Sequence, residues 1–154
     1  MEPQRIGESS TVTVQTRNRR NVSEGSTSAG HGISSIRRLV VINLALVALQ
    51  PLSAGLFLSG YERAVTLHAV VALALLLGAL IQAVTAIILW RRLGIPGSLA
   101  ALSIGLLVIM FVQVGLGYNK QYWLHVPIGV ALFGGLVRQT FGLNNLERAT
   151  GEQP

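Results

Sequence analysis

Apolar residues in this chain come in long unbroken runs, not in the short alternation of a half-buried strand. No Asp, Glu, Lys or Arg falls within residues 39–60, 64–90, 93–119 or 121–137. Each run reaches the roughly 17–25 residues that a helix needs to cross a hydrocarbon core. Backbone N–H and C=O groups find no water in lipid, so runs of this length satisfy them only as helices; barrel strands would be about half as long and would alternate. The pattern predicts membrane-spanning helices over about 39–59, 65–90, 95–117 and 122–141. Connections of only a few residues make sequential neighbours antiparallel, which gives an all-α, up-down four-helix bundle. Residues 1–36 then form a polar tail, 37–142 the membrane domain, and 143–154 a C-terminal tail.

The tail is rich in Ser, Thr, Gly and Asn and carries Arg17-Asn18-Arg19-Arg20. Such a composition buries too little to fold alone and predicts disorder. The basic cluster reads either as a solvated segment that reinforces topology or as a weak contact with anionic head groups. Arg37-Arg38 ahead of Leu39-Val40-Val41-Ile42 has the layout of a signal peptide. Cleavage near Ser53-Ala54 would place Leu52 where a small side chain is needed, so the first run reads as an uncleaved span, bent if at all at Pro51.

Composition agrees with the pattern: 51% of the 154 residues are hydrophobic and 12% charged, far from the balance of a soluble domain. With no cysteine, disulfides, thiolate metal sites, iron–sulfur clusters and thioether-attached haem are excluded. Of the twelve Lys and Arg, six lie in the tail up to Arg38, two are Arg91 and Arg92, and two are Arg138 and Arg148; only Arg63 and Lys120 face the other way. Under the positive-inside rule both termini are expected in the cytoplasm, with the chain in a cell membrane of the bacterial inner-membrane kind. The net charge of +6 therefore reads as orientation, and no nucleic acid is expected as a partner. Tyr61, Tyr118, Tyr122 and Trp123 fall at the outer interface, and Trp90 and Phe141 at the inner one.

Two histidines open even-numbered spans in matching contexts, Thr66-Leu67-His68-Ala69-Val70 and Trp123-Leu124-His125-Val126-Pro127. Ionisable side chains are rare in membrane helices and mark functional sites by default. Helices two and four are diagonal in an up-down bundle, so imidazoles one turn below the outer surface can approach the axis from opposite sides, as a bis-histidine haem requires. Ala72 and Gly129, one turn further along, are small enough to lie against a porphyrin face. Arg63 and Lys120 stand at the same end, where propionates need cations. The other reading is that each histidine only hydrogen-bonds water, head groups or a neighbouring helix. Zinc or copper fits less well, since no carboxylate, thiolate or third histidine completes a site. Gln82 lies fourteen residues beyond His68, about 20 Å deeper, and reads as an interhelical hydrogen-bonding residue. Gln50 and Gln113 face the site or bridge helices, and both options stay open.

Gln50 with Gly55, then a short loop and Leu67-His68, is echoed by Gln113 with Gly117, a short loop and Leu124-His125. This arrangement resembles one four-helix half of the haem A synthase family over about residues 39–141. The resemblance implies a haem held between histidines of the second and fourth helices, with His68 and His125 as axial ligands. It also implies eight helices in a full-length member, a carboxylate one turn before the first histidine and an outer-loop cysteine pair. Here only one half is present, Ala64 and Val65 stand where the carboxylate is expected, and cysteines are absent. What the resemblance leaves is haem binding and one-electron transfer, short of haem A synthesis.

Two functions therefore compete. One is a cytochrome-like membrane protein with one haem b, serving a redox partner, a quinone or a larger membrane complex, as a monomer or homodimer. The other is an accessory or structural membrane subunit without a cofactor. A four-helix drug transporter is disfavoured by the lack of a membrane-embedded carboxylate. No nucleophile–base pair, phosphate loop or carboxylate dyad suggests an enzyme.

Overall fold

The structure is a computed structural model that describes the backbone of residues 8–149 and side chains from residue 30 to 149. It contains four helices: α1 (Glu8–Leu58), α2 (Arg63–Leu93), α3 (Gly97–Tyr118) and α4 (Tyr122–Ala149). All four contain a segment long and apolar enough to cross a membrane. The chain is an all-α four-helix bundle in which α1 packs on α2 and α4, and α3 on α2 and α4. The diagonal pairs are thus α1 with α3 and α2 with α4. We call the end that carries the α1–α2 and α3–α4 turns the far end, and the other the terminal end.

Boundaries differ from the hydropathy reading, by one to three residues at the ends of α2 and the C-terminal ends of α1 and α3, and at three further points as follows. α1 begins at Glu8, so the segment read from composition as a disordered tail is helical from that residue; residues 1–7 of it lie outside the described residues. Nucleating a helix is costly but extending one is cheap, and the membrane span supplies the nucleus. α4 runs to Ala149 instead of stopping near Phe141. Its apolar stripe continues through fully buried Leu143 and partly buried Leu146, and Glu147 pairs with Arg37 of α1 at 3.1 Å. Hydropathy marks where lipid contact ends, whereas these contacts decide where the helix ends. α3 starts at Gly97, after Pro96, two residues later than expected: Gly94 closes α2 in the left-handed region at φ 66°, and Pro96 cannot supply an interior helical N–H.

Both far-end turns have the same form. In the first, Tyr61 N–H donates to Leu56 O at 3.1 Å and Gly60 N–H to Phe57 O at 3.0 Å; in the second, Gln121 N–H donates to Leu116 O at 2.9 Å and Lys120 N–H to Gly117 O at 3.1 Å. This is the Schellman closure, whose pivot residue is left-handed. Gly60 takes that conformation at φ 95°, as does Lys120 at φ 56°. The two tight turns deliver α2 and α4 back into the bundle in equivalent fashion and set their histidines at similar depth.

The packed core belongs to the middle and the terminal end. Ile36, Val40, Leu75, Ala79, Leu106, Leu136 and Leu143 are among its buried members. No residue of α4 before Leu132 is buried, and none of α3 after Gln113. On α3 and α4 the buried positions thus stop below the histidines, whereas α1 and α2 keep Ser53 and Ala64 buried beside and above His68.

Candidate functional site at the far end

The site is built from two repeats of one hydrogen-bonding unit. In α1 and α2, Gln50 Nε2 donates to the backbone oxygen of His68 at 3.4 Å, and His68 Nδ1 lies 3.3 Å from the backbone oxygen of Gln50. In α3 and α4, Gln113 Nε2 donates to His125 O at 2.8 Å, and His125 Nδ1 lies 3.1 Å from Gln113 O. Each glutamine thus fastens the backbone beneath a histidine while its own carbonyl receives the imidazole. The two bridging and site-facing roles left open by the sequence are one arrangement. A carbonyl oxygen only accepts, so Nδ1 carries the proton wherever that is its sole partner, and Nε2 is left with a bare lone pair.

His68 and His125 meet across the α2–α4 diagonal with ring centroids 6.1 Å apart and planes inclined by 54°. Both rings are partly buried. Ser53 adds an asymmetry: its hydroxyl lies 3.0 Å from His68 Nδ1 and donates to Gln50 O at 2.9 Å, while the residue three positions after Gln113 is Leu116. Gly117 lets His125 approach α3, since a Cβ there would stand 3.1 Å from His125 Cε1 and 3.3 Å from Nδ1. Gly55 has nothing within 4 Å of its Cβ position, so the Gly55–Gly117 match read from the sequence is not a match of environments.

The other expected site residues fall as follows. Ala72 is half-buried one turn beyond His68. Gly129 is half-buried, and its nearest neighbour is Gln113 Nε2, 2.8 Å from where a Cβ would stand; its small size makes way for the Gln113 brace. Arg63 opens α2 and Lys120 occupies the α3–α4 turn, both exposed at the far end. Two acceptors are left over: Gln50 Oε1 and Gln113 Oε1 are buried without a hydrogen-bond partner. Among the described residues no group of three or more His, Cys, Asp or Glu could hold a metal ion.

A second polar layer lies deeper and runs through all four helices. Asn43 Nδ2 donates to Gln82 Oε1 at 2.8 Å, Gln82 Nε2 to Gln139 Oε1 at 2.9 Å, and Gln139 Nε2 to Ser103 Oγ at 2.7 Å. Ser103 ends the chain by donating to Leu99 O at 2.9 Å. Asn43, Gln82, Ser103 and Gln139 are each 1% exposed. Buried Val47, Val71, Leu75, Met110 and Leu132 occupy the layer between this chain and the histidines and close the site toward the terminal end.

Gln139 and Ser53 escaped the sequence reading, yet one signal pointed to Gln139. His68 and His125 are 57 residues apart, and the same spacing relates Tyr61 to Tyr118, Arg63 to Lys120, Gly78 to Gly135, Gln82 to Gln139 and Arg91 to Arg148. Ser53 carries no such signal, because Met110 stands 57 residues on. Comparison of the chain with protein-family models, curated proteins and solved structures finds no match.

Proposed function

We propose that this protein is a small cytochrome-like membrane protein that holds one b-type haem between His68 and His125, near the far end, for electron transfer or haem handling. The observation that carries the reading is the histidine pair itself: two imidazoles on diagonal helices, 6.1 Å apart, each with Nδ1 at a backbone carbonyl. Imidazole nitrogens lie about 2 Å from a metal they share, which sets ring centroids roughly 6 Å apart. Metal-ligating histidines habitually donate their other ring N–H to a carbonyl or carboxylate.

The surroundings fit the group. On α4 no residue before Leu132 is buried, which leaves the surroundings of His125 less filled than the layer below. His68 and His125 would hold the iron through Nε2, and exposed Arg63 and Lys120 stand at the same end for the propionates. When bound, haem supplies a one-electron couple. The chain's own part is to hold both Nδ1 protons on carbonyls, to orient the rings through Gln50 and Gln113, and to close the terminal side with an apolar layer. An electron partner therefore meets the site from the far end. Kinship with one half of the haem A synthases is part of this proposal.

A second reading is an accessory membrane subunit without a cofactor. It is favoured by the same bonds, since each imidazole already has a protein partner and no third ligand is present among the described residues. The visible spectrum of protein purified from a haem-replete host separates the two. The haem reading expects a Soret band with sharp reduced α and β bands, and loss of that two-ligand signature in both His68→Ala and His125→Ala. Colourless protein that takes up no haem in titration refutes it.

A further inference from the structure

The two imidazoles look alike at low resolution but differ in what their Nδ1 atoms can do. His125 Nδ1 has Gln113 O as its partner at 3.1 Å. That oxygen has no proton to give, so a neutral His125 must carry its proton on Nδ1. His68 Nδ1 has two neighbours, Ser53 Oγ at 3.0 Å and, further off, Gln50 O at 3.3 Å. A serine hydroxyl both donates and accepts. With the proton on His68 Nδ1, the ring donates to Ser53 and Gln50 O, while Ser53 donates to Gln50 O at 2.9 Å. With the proton on Nε2, Ser53 turns its hydroxyl hydrogen from Gln50 O to Nδ1, so the ring keeps a partner while Gln50 O gives up both side-chain donors. Exchange between the two forms needs only that water at the open far end take one proton and return another.

We infer that the pair is functionally asymmetric: His125 is the fixed ligand, locked in the Nδ1–H form by Gln113, and His68 is the exchangeable one, with Ser53 as the positioning residue that lets it hold either tautomer. In its Nε2–H form the His68 lone pair lies on Nδ1, taken up by the Ser53 hydroxyl, so Nε2 has none to offer a metal. The site therefore has a built-in way to free one coordination position without disturbing the other histidine. The ligand-exchange part rests on the haem reading; the tautomer part does not.

Imidazole nitrogen NMR on the full chain in micelles, labelled at histidine and without haem, tests the tautomers directly. His125 should show Nδ1–H alone and His68 a mixture of both forms. Ser53→Ala should collapse His68 to Nδ1–H, and Leu116→Ser, which sets a hydroxyl three residues after Gln113, should make His125 a mixture. Equal tautomer states for the two rings in the wild type, or no change at His68 in folded Ser53→Ala, overturn the inference; should Ser53→Ala fail to fold, an unmoved His125 in Leu116→Ser overturns it. With haem supplied, His68→Ala should keep haem at least tenfold more tightly than His125→Ala and bind added imidazole in its place. Equal loss from both variants overturns the assignment of the exchangeable ligand. Wild-type protein that takes no haem refutes the haem reading and leaves the NMR result to stand alone.

Discussion

Replacing Gln139 by leucine is the sharpest test of what holds the bundle together. Gln139 accepts from Gln82 Nε2 at 2.9 Å and donates to Ser103 Oγ at 2.7 Å, and leucine keeps most of the volume while removing both bonds. Interhelical hydrogen bonds in membrane proteins average about 0.6 kcal/mol and reach about 1.7. Ser103 keeps its bond to Leu99 O, but Gln82 Nε2, in a residue 1% exposed, is left unpaired without water. The loss should therefore be on the order of 1–3 kcal/mol. Gln82→Leu removes the shared bond and the one from Asn43, at similar cost. Because the Gln82–Gln139 bond is lost in either single variant, the double variant should cost about 1 kcal/mol less than the two singles together. Equilibrium unfolding in mixed micelles, followed by circular dichroism over a denaturing-detergent titration, measures all four corners of this cycle. Single-variant losses below about 0.3 kcal/mol, or additivity within that margin, would show that the chain of amides contributes no coupling.

Five further substitutions test other points of the architecture, the Gly117 and Gly55 pair by spectroscopy and the others by the same unfolding titration. Gly78→Ala drives a methyl into the Asn43 carboxamide, whose Cγ lies 3.1 Å from the Cβ position, whereas Gly135→Ala meets only the flexible tip of Leu106; the first should cost several-fold more than the second, and the reverse order would refute the close α1–α2 approach. Gly117→Ala should displace the His125 ring and change any bound haem spectrum while Gly55→Ala stays silent, since only the former has the ring within 3.4 Å. Lys120→Gly should raise stability by about 1 kcal/mol, because a non-glycine residue pays that much to stay left-handed, and unchanged or lower stability would argue against the φ of 56°.

The spans were legible because lipid leaves the backbone no alternative to helix, and the diagonal placement of His68 and His125 followed from short turns alone. What escaped was decided by contacts that composition does not encode. Leu143 and Leu146 continue a buried stripe past Phe141, where the hydropathy signal ends, so α4 outlasts its apolar run. Gln82 was placed correctly by depth, but its partner needed the 57-residue spacing to be followed beyond the Leu-His pair to Gln139. Gly129 was assigned to a porphyrin face by its size, which is equally what the Gln113 side chain requires. Ser53 is one small polar residue among many in a membrane helix, and only its 3.0 Å distance to His68 distinguishes it.

The two polar layers divide the work of the bundle. The packed core and the one hydrogen-bonded chain that joins all four helices lie below the histidines, where the buried residues of α4 begin at Leu132. A site that must admit a ligand cannot also be a close-packed core, because filling it would leave no room and emptying it would forfeit contacts. Anchoring the four helices lower down resolves that conflict: the far end can stay open without loss of the fold. The backbone oxygens of Gln50 and Gln113 then hold each imidazole from its own neighbouring helix, α1 for His68 and α3 for His125, and among the described residues no hydrogen bond joins the two rings to each other. Cutting the deep chain should therefore loosen the helices yet leave the ring contacts in place, whereas Gln113→Leu should remove the bond to His125 O and let α4 shift against α3 at the far end, with the backbone oxygen of residue 113 still accepting from His125 Nδ1, at little cost to stability. Histidine nitrogen spectra and unfolding titrations on the two variants would separate these effects, and a loss of both properties in either variant would show that the layers are one cooperative unit.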